Sequence, residues 1–194
     1  YMNQGQILAV DSYTKLLLHM NGIDASTVFT DNGTTGHTIT AVGNAQIDTV
    51  QSKFGGASGL FDGNGDYLSV PDSTDWYFGT DNFTIDFWVR FADISGSQVF
   101  VGQYDGVSTT DWYILKDANH KLRIFFESAG VSKGDYLMTS AWAGLTANTW
   151  YHLTFERITN SPWAMVFIDG VSQPLTATTA FTTNDVGNAA LALN

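Results

Sequence analysis

The 194-residue sequence predicts an all-β chain, folded as an antiparallel sandwich or jelly roll. Three observations predict it. The acids are unevenly chosen, with seventeen Asp against two Glu, Glu127 and Glu156. Asp suits turns and caps, whereas Glu suits helices. Phe83–Phe91 alternates: Phe83, Ile85, Phe87, Val89 and Phe91 point one way, and Thr84, Asp86, Trp88 and Arg90 the other. Short runs of this kind recur between Gly/Asn/Asp turn signals, and no segment sustains a helical period.

The elements follow in order. Residues 1–14 are polar and read as an arm or linker, with one domain over 15–194. Lys15–Met20 is a first strand before the turn Asn21-Gly22. His37–Val42 and Ala45–Val50 flank Gly43-Asn44. Ser58–Asp62 and Asp66–Val70 surround Asp62-Gly63-Asn64-Gly65, which signals a hairpin. Gln98–Tyr104, Trp112–Lys116 and Lys121–Glu127 continue the pattern, the last two joined by a turn at Asp117–His120. Trp150–Arg157 alternates, and Trp163–Asp169 ends on the turn signal Asp169-Gly170. Such close spacing of strands and turns argues a sandwich.

A chain of this length can bury a sizeable core. Lys and Arg total 8 against 19 Asp and Glu, a formal charge of −11. That balance argues against nucleic acid or an anionic membrane as partner, since both attract positive charge. There is no Cys, so no disulfide framework, and the redox compartment is left open. No apolar run is long enough to span a membrane as a helix. The sequence opens at Tyr1 and stops at Asn194 after an apolar run, and both ends read as cut from something longer.

The segment Phe54–Ser73, FGGASGLFDGNGDYLSVPDS, resembles the motif near the start of concanavalin A-like, laminin-G-like jelly-roll domains. Asp81–Arg90 resembles that family's FTI-x-FWV strand, Asn148–Phe155 its NTWYH strand, and Val166–Gly170 its aromatic-Ile-Asp-Gly hairpin. The motifs fall in family order from about Leu16 to Leu193. The resemblance implies a concanavalin A-like jelly roll. The family's closing acidic-hydrophobic strand has no counterpart here, so the sandwich is expected to lack its last strand or two. An open edge of that kind invites a partner chain or a second copy.

Catalysis is not expected. Glycosidases usually need two carboxylates, and the paired-Glu strand motif of the family's glucanase branch is missing, Glu127 and Glu156 each standing alone in a strand. Asp86 and Arg90 read as a surface ion pair. None of His19, His37, His120 and His152 sits in a nucleophile-elbow context.

Calcium takes oxygen ligands from loops. Asp62-x-Asn64-x-Asp66 fails as an EF-hand, having Tyr67 at the sixth position and Ser73 at the twelfth. The laminin-G resemblance implies Asp111 as a calcium ligand, just before a strand and a turn. Asn21, Asp24 and Asp31 make a second oxygen cluster. Trp76, Tyr77, Trp112, Trp142 and Trp163 lie in or beside loops, and as a set could supply an aromatic platform for sugar, although core packing explains each one singly. The sequons at Asn32 and Asn82 read as chance matches.

The resulting expectation is a non-catalytic module recognising a glycan or host surface, within a larger extracellular or virion-surface protein. The rivals are an assembly domain (phage decoration, fibre or adhesin) without a glycan site, and an accessory domain of a polysaccharide-degrading enzyme.

Overall fold

The computed structural model describes residues 10–159, 163–182, 186–187 and 189–194; residues 1–9 of the expected arm lie outside them. The chain forms two compact units, Tyr1–Pro71 and Asp72–Asn194.

The first unit holds four three-residue strands: β1 (Thr40–Val42), β2 (Gln46–Asp48), β3 (Ser58–Leu60) and β4 (Tyr67–Ser69). They pair as β1 with β4 and β2 with β3, both antiparallel. The hairpin expected between 58 and 70 is therefore corrected: β3 and β4 do not pair with each other. The positive φ values of that turn fall on Gly63 (82°) and Gly65 (80°), not on two adjacent residues as a type I′ turn requires. Asp carboxylates take up the backbone instead. Asp62 N–H donates to Asp66 Oδ2 at 2.7 Å, and Asn64 N–H to Asp62 Oδ1 at 2.8 Å. The expected strand at Lys15–Met20 reduces to one bridge, Leu18 to Asp31. Phe29, Ile47 and Ala57 form a small core with Met20, Ile39, Ala41 and Leu68.

In the second unit a 3-10 turn (Thr74–Trp76) precedes β5 (Phe83–Arg90), β6 (Gln98–Gln103), β7 (Asp111–Lys116), β8 (Leu122–Ser128), β9 (Val131–Met138), β10 (Trp150–Ile158), β11 (Trp163–Ile168), β12 (Val171–Ser172) and β13 (Leu175–Thr179). They form a four-stranded sheet, β12-β11-β10-β5, and a five-stranded sheet, β13-β9-β8-β7-β6, with antiparallel pairing throughout. The inner faces meet through aromatic rings. Phe87 of β5 lies 5.2 Å from Phe100 of β6, and Phe83 lies 5.6 Å from Phe126 of β8. The inward residues of β5 are those its alternation selects. Ile114, Leu122, Ile124, Leu153, Phe155 and Val166 are buried between the layers.

The segment after β13 is bolted on by two devices. Phe181 is buried against Gly134 of β9, where any Cβ would overlap its ring. Its N–H donates to Tyr136 Oη at 2.8 Å, and the buried Arg157 guanidinium lies over the ring at 5.0 Å. Further on, the buried Gln103 amide donates to the carbonyls of Ala189 (3.0 Å) and Leu191 (2.6 Å). Asn194 exchanges both backbone hydrogen bonds with Gly102 of β6, each 2.9 Å. β6 is the edge strand of the five-stranded sheet, and this pairing lies along it.

Candidate functional site

The outward face of the five-stranded sheet is built in three rows by strand register. Asp111, Tyr113 and Leu115 alternate outward from β7, and Glu127, Phe125 and Arg123 stand opposite them on β8. From β9, Ser132, Asp135 and Leu137 continue the same rows. The intervening residues (Trp112, Ile114, Ile124, Phe126) are buried inward, which leaves the outward set other than the buried Asp111 in partial contact with solvent; a register shift beside Glu127 brings Ser132 opposite it.

The middle row is aromatic. Tyr113 and Phe125 stack with centroids 5.0 Å apart at 25°, and Tyr104 meets Tyr113 edge-on at 5.3 Å. Burial raises the pKa of the Tyr113 phenol, so it stays a neutral donor and acceptor across ordinary pH. The guanidinium of Arg123 lies 5.0 Å from the Phe125 ring. It is held there by a two-pronged pair with Asp135, Nε to Oδ1 at 2.7 Å and an Nη to Oδ2 at 2.9 Å. That bond raises the already high pKa of Arg123, so the cation is permanent. Leu115, Asp117, Arg123, Asp135 and Leu137 bound an open depression of about 270 Å³ beside the rings. A flat ring surface next to fixed donors and acceptors suits a ligand with an apolar face and hydroxyl edges.

The end row is acidic. Asp111 is 6% exposed, and its Oδ1 is buried without a hydrogen-bond partner among the described residues. Burial raises its pKa, helped by Glu127 and then Asp105. The hydroxyl of Ser132, in the same row, is likewise buried and unpartnered.

The sequence-selected residues fall elsewhere or in other roles. Trp76, Trp112 and Trp142 are buried and offer no ring to solvent. Trp112 stacks on Phe126 at 5.5 Å and donates to Gln103 Oε1 at 2.9 Å, holding the amide that secures the tail. Trp142 packs on Tyr151 at 4.7 Å. Tyr77 is exposed beyond the 3-10 turn, and Trp163 opens β11 with φ 72° in the other sheet. The five do not form an exposed platform, since Trp76, Trp112 and Trp142 are buried and leave only Tyr77, after the 3-10 turn, and Trp163, on β11. Asp86 pairs with His152 (3.3 Å), not with Arg90, since His152 lies diagonally across on β10.

Asn21, Asp24 and Asp31 also serve locally rather than jointly. Asp31 accepts from the amides of Leu17 (2.9 Å), Gly33 (2.7 Å) and His37 (2.7 Å). Asp24 accepts from the amide and hydroxyl of Thr49. Asn21 is exposed, just before the bend at Gly22 and Ile23.

For the calcium that the resemblance implies at Asp111, the side chains at hand are Asp111, Glu127 and the Ser132 hydroxyl. Asp105 is engaged with Val107 and Ser108. Among the described residues no group of three or more acidic, His or Cys side chains is placed to hold a metal. Calcium takes about six to eight oxygens, and this donor set does not fit it.

Sequence reasoning passed over Tyr113, Phe125, Arg123 and Asp135. The signal was present in β8. An aromatic, Phe125, stands on the polar face of Leu122–Ser128, between Arg123 and Glu127.

No curated protein matches the chain. Among solved structures it is similar to the carbohydrate binding module CBM66 from Bacillus subtilis, at TM-score 0.41 and 15% identity, over 80% of this chain and 85% of that one. A family model described as Concanavalin A-like lectin/glucanases superfamily matches residues 62–193. With residues 62–193 so matched, the chain belongs to the concanavalin A-like lectin/glucanases superfamily.

Proposed function

We propose that the chain is a non-catalytic glycan-recognition module of an extracellular or virion-surface protein, and that it binds through the outward face of the five-stranded sheet. The observation that supports this reading is the Arg123–Asp135 pair fixed against the stacked Tyr113 and Phe125 rings. A pyranose presents an apolar face of C–H groups and a rim of hydroxyls. The rings take the first, while the remaining donor and acceptor capacity of Arg123 and Asp135 takes the second. Because the pair is already formed, little side-chain entropy is lost on binding.

The test is titration calorimetry with whichever glycan an array screen selects. Tyr113→Ala is expected to weaken binding about tenfold or more, from the loss of one stacking ring. Asp135→Asn is expected to weaken it as well, because Arg123 loses its fixed orientation. Unchanged affinity in both variants removes this face from the reading.

A further inference from the structure

The acidic end of the face asks for a positive group of a particular kind. Asp111 Oδ1 and Ser132 Oγ are both buried without hydrogen-bond partners among the described residues, and Glu127 stands between their strands in the same row. Buried acceptors of this sort are rare in folded chains, because each gives up its water and gets nothing back. Asp111 is more than nine-tenths buried, and Glu127, beside it on β8, is half-buried. The row is continuous with the rings: Asp111 and Glu127 are each two positions from Tyr113 and Phe125 on their own strands.

The donor count selects the cation. A divalent ion such as calcium needs more oxygens than the row supplies. A primary ammonium has three N–H donors. The row offers three acceptor groups: the Asp111 carboxylate, the Glu127 carboxylate and the Ser132 hydroxyl.

Resting on the glycan reading above, we infer that the module selects glycans carrying a free amino group, with a sugar ring on Tyr113 and Phe125 and its ammonium in the Asp111–Glu127–Ser132 row. Acetylation of that amine would remove its charge and two of its donors, and place an acetyl group against the carboxylates. A carboxylated sugar would meet two like charges in the same place.

The experiment is calorimetry with a β-1,4-linked glucosamine hexamer, its fully N-acetylated counterpart, and calcium chloride alone. The unacetylated hexamer is expected to bind about tenfold or more tightly than the acetylated one, as charge-assisted hydrogen bonds allow. Asp111→Asn and Glu127→Gln should each abolish that preference by weakening the unacetylated hexamer about tenfold or more. Tyr113→Ala should weaken both hexamers. Near-equal affinities for the two hexamers, or a preference that survives both acidic variants, overturns the inference. So does calcium binding that Asp111→Asn removes, because the row is then a metal site. If other glycans bind through the Tyr113 face and neither hexamer does, the amino-sugar assignment fails and the platform stands. If no glycan binds at all, both fail.

Discussion

Asp31 and Asp111 are both buried aspartates, yet their surroundings drive them in opposite directions. For Asp31, burial pushes the pKa up, but hydrogen bonds from the Leu17, Gly33 and His37 amides outweigh it, so the pKa is lowered. A lowered folded pKa stabilises the fold above the ordinary carboxylate value of 3.8, and that contribution is lost as pH falls through the folded pKa. Asp31→Ala leaves three amides without their acceptor and should cost about 2–4 kcal/mol. Hydrogen exchange at Ile47, in the small core of the first unit, reads that loss without interference from the second unit. Asp111 is the reverse case. Burial, then Glu127 and Asp105, raise its pKa. Without a bound cation, its ionisation costs stability as pH rises from 3.8 through the folded value. Asp111→Asn is therefore expected to raise the melting temperature at pH 7, with the gain vanishing below pH 3.8. A lower melting temperature at pH 7 would mean that the carboxylate is satisfied in solution.

At the scale of the element, legibility tracked periodicity. Phe83–Arg90 and Trp150–Ile158 could be read because their alternation is uninterrupted, one face apolar and the other polar. β9 could not be. Its Lys133-Gly134-Asp135 looks like a turn, yet Gly134 and Asp135 each have a structural reason to be in a strand. Gly134 is small because Phe181 sits on it, and Asp135 is charged because Arg123 faces it from β8. Both reasons are long-range contacts that a local window cannot contain. The same limit explains the Asp62–Gly65 error. The turn signal was genuine, but strand partners were settled by distant residues of β1 and β2. Gly134→Ala is expected to destabilise the second unit by about 1–3 kcal/mol, through displacement of the Phe181 ring. Denaturant unfolding followed by tryptophan fluorescence measures it, all six Trp lying in that unit. Trp112→Ala should cost more, about 3–5 kcal/mol, since it empties a core site and strands Gln103 Oε1.

For the molecule as a whole, the family and the all-β layering were legible in ordered motifs, whereas the candidate site was not. A platform made from successive strands depends on register, and register appears only when the strands are paired. The sequence search favoured tryptophans near loops; the rings that share one solvent-facing surface are Tyr104, Tyr113 and Phe125. The formal charge of −11 bears on selectivity at this scale, because it disfavours acidic polysaccharides at long range. Raising the ionic strength should therefore weaken capture of an amine-bearing glycan and leave a neutral one little changed, a contrast that titrations at two salt concentrations would show.

The central claim is that the outward face of the five-stranded sheet is where a glycan binds. The most direct measurement is a glycan array probed with the parent chain, with Tyr113→Ala, and with the double variant Tyr77→Ala/Trp163→Ala. Loss of signal in Tyr113→Ala, with the parent pattern kept in the double variant, is the result this account predicts. Full signal in Tyr113→Ala and loss in the double variant would contradict it and return the site to the loops.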